Sequence, residues 1–308
     1  MLKYALKRIL SGVLTIFILI TLTFFLMRAI PGSPFTKGEQ KMPPEILQQL
    51  NEKYGMDKPL FLQYLRYIGN ILSGDFGESF KKANTTVNSM ISRGFPVSAR
   101  VGAVSVILSL FVGLALGITS AIRRGRLVDG FAMIFATVGI SVPAFVTSVL
   151  LLYAFAGGIF RVLPTYGLTT WRHYILPVTC LSFYPVAYIA RLTRSSMLEA
   201  MQQDYIRTAR AKGVREVWVI TKHGLRNAIL PVVTYLGTLV AALLTGSFIV
   251  ERLYAIPGIG KYFVDSISSR DYNVILGITV FFGIFVVICN MAVDILYGII
   301  DPRVKLSE

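Results

Sequence analysis

The sequence predicts an all-α, polytopic membrane protein of six spanning helices with both termini in the cytoplasm. Three observations predict it. Of 308 residues, 54% are hydrophobic and only 15% are charged, whereas soluble domains average about 25% charged residues. The apolar residues gather into six runs, each near the roughly 20 residues that cross a bilayer. Lys and Arg crowd the short loops and tails on one side of these runs, the bias that marks the cytoplasmic face. The net charge of +15 is therefore read as topology; a nucleic-acid binder would gather it into one stripe.

The first run, Ile9–Met27, follows Lys3, Lys7 and Arg8. It is too long for a secretory leader and lacks an A-x-A-like cleavage site, so it is expected to stay as a span with its N-terminus inside. Pro31–Phe95 is polar and is expected outside, as a small cap. Pro43-Pro44 followed by Ile46, Leu47, Leu50 and Tyr54 predicts a short amphipathic helix. Phe61, Tyr64, Leu65, Ile68, Ile71 and Leu72 predict a second, and Gly74-Asp75-Phe76-Gly77 a turn.

The second span is expected over Pro96–Ile122, with Gly113 and Gly117 allowing close helix packing. Arg123, Arg124 and Arg126 then mark a cytoplasmic loop. Leu127–Ala156 holds a third span, interrupted at Gly139–Pro143, where a packing kink is the favoured reading over a pathway-lining bend. Tyr174–Ala190 is the fourth, distorted by Pro177 and Pro185, with Arg191 and Arg194 at its inner end. Leu230–Ile249 is the fifth, Glu251–Asn273 an outer loop, and Val274–Tyr297 the sixth, with Asp294 and Arg303 placed for an anchoring ion pair.

Between the fourth and fifth spans lies a basic island, 191–229, expected in the cytoplasm. Met201, Tyr205, Ala209 and Lys212 share a helical spacing, and Gly213 ends the run. Val214, Val217, Trp218 and Leu225 predict a second short helix. Small residues such as Ala209 and Ala211 would let a helix sit close in a partner's groove. A basic loop that only anchors topology fits the same pattern.

Arg207-Thr208-Ala209, three residues, then Gly213 resembles the coupling signature of the membrane subunits of ATP-binding-cassette importers. The form Thr208–Gly213, with His223–Pro231 behind it, is similar to the peptide-permease branch. Spaced motifs along the chain resemble the oligopeptide, dipeptide and nickel family in the same order: Pro31–Phe35, Tyr54–Pro59, Gly74–Gly77, Ile256–Gly260, Arg270–Tyr272 and Val293–Tyr297 with Asp301-Pro302-Arg303. Gly32–Phe35 is nearest in form to the oligopeptide B-type subunit. The resemblance implies one permease domain over 1–308 in a bacterial plasma membrane. It implies a second, homologous permease subunit, two cytoplasmic ATPases, an extracytoplasmic peptide-binding protein and a peptide substrate. It implies an ATPase-coupling role for Arg207, Thr208, Ala209, Arg210, Lys212, Gly213, His223 and Arg226. Ser141, Tyr184 and Ser247 are the candidates for the pore wall.

No catalytic constellation stands out. A Walker A loop ending at Gly260-Lys261 would need Gly at Ala255 and Ser or Thr at Tyr262. His173 and His223 are expected on opposite sides of the membrane, without metal-ligand spacing. Cys180 and Cys289 both fall in apolar runs and make no disulfide framework. The chain is thus expected to bind no cofactor and to leave ATP hydrolysis to partner subunits. An ion-coupled secondary transporter is the competing class; it would want acids at mid-membrane and no docking loop.

Overall fold

The computed structural model describes residues 2–30, 35 and 43–300, with side chains over 6–30, 35 and 43–293. The described residues are helical apart from loops and one antiparallel bridge, Glu78 to Thr86. Five helices are long and apolar enough to cross a membrane, and a sixth candidate is a pair bent by 107°. The chain divides into two compact units, 1–97 with 257–291 and 98–256 with 292–308.

In the first unit, α1 (Leu2–Ala29) is a long run of branched aliphatics and phenylalanine. Ile20, Phe24 and Met27 fall on one face and are buried, while Leu10, Leu14, Leu22 and Leu26 stay exposed, as suits a lipid-facing side. α2 (Pro44–Tyr54) starts on its proline and closes at Gly55, φ 66°. α3 (Leu60–Leu72) sets Tyr64 and Tyr67 beside Phe24, ring centroids 5.4 and 5.6 Å away. Both helices and the turn at Gly74–Gly77 lie where the sequence predicts them. Asn88 clamps that turn, accepting the Phe76 N–H at 2.9 Å and donating to the Gly74 carbonyl at 2.6 Å.

α4 (Val87–Ile122) starts nine residues before Pro96, the expected start, and carries that proline inside. Its first part belongs to the first unit. There α13 (Ile259–Ser269) and α14 (Tyr272–Ile300) complete the core, with Val87, Met90, Ile259, Val274 and Ile278 packed together. Gly258-Ile259-Gly260 forms the start of α13, so the loop expected over Glu251–Asn273 is partly helical. Asp271 is buried before α14; its carboxylate takes the Ser79 hydroxyl and the Phe80 N–H, the latter at 3.1 Å. The side chain of Asp294, and Arg303 with it, lie outside the described residues.

In the second unit α7 (Arg172–Ala200) is the central helix. It is uninterrupted, twelve residues longer than the sequence predicts, and carries both Pro177 and Pro185. Its small or slim residues admit neighbours closely. A Cβ on Gly113 of α4 would lie 2.7 Å from the Ile189 side chain, and one on Gly117 would lie 2.5 Å from Thr193. The close packing expected at these two glycines is therefore present.

α5 (Leu127–Ser141) and α6 (Ala144–Leu152) meet at the 107° bend. The interruption expected at Gly139–Pro143 is thus a sharp bend. Val142 is extended, and Pro143 has no N–H to carry the helical ladder across. The fifth span also breaks. α11 (Leu230–Leu244) stops before Gly246, φ 83°, and α12 (Phe248–Leu253) begins with the Ser247 hydroxyl accepting the Val250 N–H at 3.4 Å. The basic island folds as α8 (Asp204–Ala211), α9 (Glu216–Trp218) running into a π-helical turn at Val219–Gly224, and α10 (Leu225–Ala228).

Candidate functional site: a bent-helix cavity and a basic loop

Ser141, Tyr184 and Ser247 line one cavity of about 600 Å³ in the second unit. The α5–α6 bend and the α11–α12 break supply two of its walls, and α7 supplies a third. The two serine hydroxyls are spent on the backbone. Ser141 donates its hydroxyl to the Thr137 carbonyl at 2.8 Å, and Ser247 uses its own as a helix cap. Apolar groups from Ile140, Val142, Leu181, Phe183, Leu239 and Leu243 face the space instead.

Tyr184 is half exposed and stacks on Tyr188 at 6.2 Å between centroids, and Tyr188 meets Tyr235 at 4.4 Å. Sequence reasoning missed Tyr188 and Tyr235. The first is one turn from Tyr184 on α7, so helical spacing was an available clue. Tyr235 lies on a different helix, and nothing local announces it.

The basic loop is built around its own small core. Ile206, Ala209 and Val219 are buried together, with Met201 and Val214 against them. Ala209 therefore faces inward and cannot be the close-packing contact for a partner. The proposed stripe of Met201, Tyr205, Ala209 and Lys212 does not exist as one surface. Met201 precedes α8, in the turn after α7, and Tyr205 is exposed. Val217 and Trp218 are exposed rather than packed with Val214, which puts two large apolar side chains on the outside of a charged loop.

Gly213 closes α8. Its N–H reaches the Arg210 carbonyl at 2.9 Å, and the Val214 N–H reaches Ala209 at 3.2 Å. With φ 73° at Gly213 this is the paired-bond helix terminus that left-handed glycine permits. Arg210 bridges the turn, with two hydrogen bonds to Glu216 at 2.6 and 3.1 Å. The Arg210 guanidinium holds the Glu216 carboxyl below the usual carboxylate range, and Glu216 raises Arg210 in return. Arg207 leans on Asp204 at 3.5 Å. Thr208 is exposed, and its hydroxyl returns to the Asp204 carbonyl at 3.0 Å. Lys212 and Arg226 are exposed and have no acidic partner among the described residues; His223 is half-buried in the π-helical turn.

Two buried acids in the second unit were not foreseen. Asp129, in the first turn of α5, accepts two hydrogen bonds from Arg194 of α7 at 2.6 and 2.8 Å. It also takes the Ser120 hydroxyl at 2.5 Å and the Gly125 N–H at 2.9 Å, tying the short basic loop Arg123–Arg126 to α7. Glu251, in α12, accepts the Ser98 hydroxyl at 2.6 Å. Arg194 lies on α7, six residues before its end, and Arg191 donates to the Thr137 hydroxyl at 3.1 Å.

The family model described as binding-protein-dependent transport system inner membrane component matches residues 113–306, and the model for the N-terminal part of such membrane components matches 1–102. The chain belongs to this family. The N-terminal match ends and the other begins inside α4, close to where the two compact units divide at 97 and 98. This inner-membrane transport component is 47% identical to the dipeptide transport system permease protein DppB of Bacillus subtilis over 309 aligned positions, covering 100% of this chain and 99% of that one. It is 41% identical to the oligopeptide transport system permease protein OppB of Salmonella typhimurium, covering 99% and 100%. A solved structure of the MetNI methionine ABC transporter in an inward-facing conformation shares its fold, with a TM-score of 0.55 at 18% identity over 69% of this chain and 96% of that one. The transport component is thus a multi-pass inner-membrane protein, and the family resemblance drawn from spaced motifs extends over its whole length.

Proposed function

We propose that this chain forms half of the membrane pore of an ATP-driven importer of peptides. The observation that carries the reading is the end-to-end identity with permeases named for dipeptides and oligopeptides. Peptides share a backbone and vary in side chains, so their pore needs a wall that grips weakly. The Tyr184, Tyr188 and Tyr235 group beside the apolar wall has that character: rings accept many side chains, and hydroxyls can meet backbone amides.

On this reading segment 31–95 lies outside and loop 191–229 lies in the cytoplasm. Two ATPases bind the loop, a second permease subunit completes the pore, and a binding protein outside delivers the peptide. Hydrolysis belongs to the ATPases. Val217 and Trp218 are exposed in a loop that also exposes Arg207, Lys212 and Arg226, so it offers a partner both apolar anchors and basic side chains. Closing of the ATPases would push the loop, and the breaks at Val142-Pro143 and at Gly246 are where the walls can hinge. An ion-coupled carrier is the weaker reading, because Asp129 is saturated by Arg194, Ser120 and Gly125 and is not poised to exchange a proton.

The test is uptake into proteoliposomes holding the assembled complex. Labelled dialanine or a longer peptide is expected to accumulate only with ATP on the ATPase side and binding protein on the other. The chain purified alone is expected to hydrolyse ATP at background rate. Uptake driven by an ion gradient without ATPases would sink the reading.

A further inference from the structure

A second cavity, of about 320 Å³, lies in the first unit, between the outer end of α1 and the segment that follows it. Among the described residues Arg28, Lys53, Lys58 and Arg66 line it, against two acids, Asp75 and Glu78. Asp75 already accepts the Gly77 N–H at 2.9 Å. None of the four cations has a salt bridge to a described residue. Arg28 is half-buried on the face of Phe24, 5.5 Å from its centroid, and Lys53 lies 5.2 Å over the Tyr54 ring.

A half-buried guanidinium without an anion is costly, because water is partly stripped from it and a ring face such as that of Phe24 replaces only part of the lost solvation. Arg66 is exposed overall, and its guanidinium passes over Gly55. Gly55, at φ 66°, leaves the room its guanidinium occupies, since a Cβ there would lie 3.0 Å from Arg66 Nη1. The lining also includes Tyr67, whose buried hydroxyl has no hydrogen-bond partner among the described residues, and Gln63, whose side-chain carbonyl has none among them either. Gln63 spends its amide N–H groups on the Met56 and Lys58 carbonyls, which fixes the strand of chain carrying Lys58.

We propose that this cavity binds an anionic oxygen group, a carboxylate or a phosphate, between Arg28, Arg66 and the two lysines. Guanidinium groups pair with such anions through charge-assisted hydrogen bonds, and the idle Tyr67 hydroxyl supplies a further donor. Gln63 is left as an acceptor for water or for an N–H or O–H of the same ligand. Two sources present this chemistry beside a membrane: the headgroup of an acidic phospholipid, and the C-terminal carboxylate of a peptide. The site rests on the peptide-importer reading only for the second source and for which side it faces.

The experiment uses the full chain in phosphatidylcholine nanodiscs. Inorganic phosphate and dialanine are titrated by calorimetry, and phosphatidylglycerol retained from mixed nanodiscs is measured by mass spectrometry. Saturable binding of at least one probe is expected. Arg28→Gln with Arg66→Gln should weaken it roughly tenfold, about the weight of one lost hydrogen bond to a charged group. Lys53→Gln with Lys58→Gln alters only exposed side chains, cannot unfold the cap, and should weaken it as well. Arg93→Gln, outside the cavity, should leave it unchanged. Weakened phosphatidylglycerol retention assigns a lipid, weakened dialanine binding assigns a peptide terminus, and weakened phosphate binding alone assigns a free anion. No saturable binding of any probe, or an equal loss in Arg93→Gln, overturns the proposal. Peptide uptake by the wild-type complex, measured in parallel, separates the two ideas: its absence would refute the importer reading while leaving the anion site intact.

Discussion

Gly213 concentrates the geometry of the basic loop in one torsion angle. A Cβ placed there meets nothing within 4 Å, so any substitution acts through the backbone and not through a clash. At φ 73° a β-branched residue costs roughly 1–2 kcal/mol. Gly213→Val should therefore leave membrane abundance unchanged, because that is small against the energy of six inserted spans, yet misdirect Val217 and Trp218 and abolish uptake. Gly213→Asn, which reaches the left-handed region more easily, should keep most of it. Normal uptake by the valine variant at normal abundance would show that the turn does not carry coupling. The Arg210–Glu216 bridge adds a pH dependence. Glu216 has a depressed folded pKa, so its contribution is fully present above the ordinary carboxylate pKa and fades as pH falls through the lower folded value. The protection factor of the Val214 amide, its exchange rate corrected for the intrinsic pH dependence, should be higher at neutral pH than in acid, and Glu216→Gln should remove that pH step. The positive φ was legible because glycine ended a helical run. The facing of Ala209 was not, because it depends on where α8 starts, and a helix starting three residues later turns a different side inward.

At the scale of elements, the Asp129–Arg194 pair holds α5, α7 and the loop Arg123–Arg126 together. The Asp129 and Arg194 side chains are only 7% and 25% exposed. Removing one partner strands the other, which costs about 3–5 kcal/mol for a buried pair. Asp129→Ala should lower the thermal midpoint of the purified chain strongly. Asp129→Ala with Arg194→Met should recover much of that loss, since an apolar pair leaves no stranded charge. Equal melting of the single and double variants would mean that the ion pair does not act as a unit. No sequence pattern announced this contact, because its partners are 65 positions apart and each is an ordinary charge beside a span. The prolines mislead in a related way. Pro96, Pro177 and Pro185 sit inside continuous helices, while Pro143 marks a sharp bend. Neighbouring helices and side chains can supply what a proline removes. At Pro143 the preceding Val142 is extended, and the ladder stops. Composition alone does not distinguish these cases, so the spans were legible as apolar runs and their ends were not.

At the scale of the whole molecule, the six apolar runs correspond to five long helices and one bent pair, and charge bias predicts how they thread the bilayer. The outcome is decided by which side each soluble segment meets. Lys53 on α2 and Lys212 at the end of α8 are both exposed, so a cysteine at either position is open to a water-borne reagent without disturbing a core. The native thiols must first be removed. Cys180 is buried 2.8 Å from the Ser148 hydroxyl and 3.3 Å from the Ala144 carbonyl, so serine preserves its polar contacts, and serine also serves at half-buried Cys289. In that background Lys53→Cys should react with a membrane-impermeant maleimide in intact cells. Lys212→Cys should react only once the membrane is permeabilised. The contrast tests the threading as a whole, because α4, the bent α5–α6 pair and α7 lie between the two positions. One hairpin in place of that odd number of crossings would return both positions to the same side. Labelling of both from outside, at equal rates and before permeabilisation, would leave the loop out of reach of any cytoplasmic ATPase.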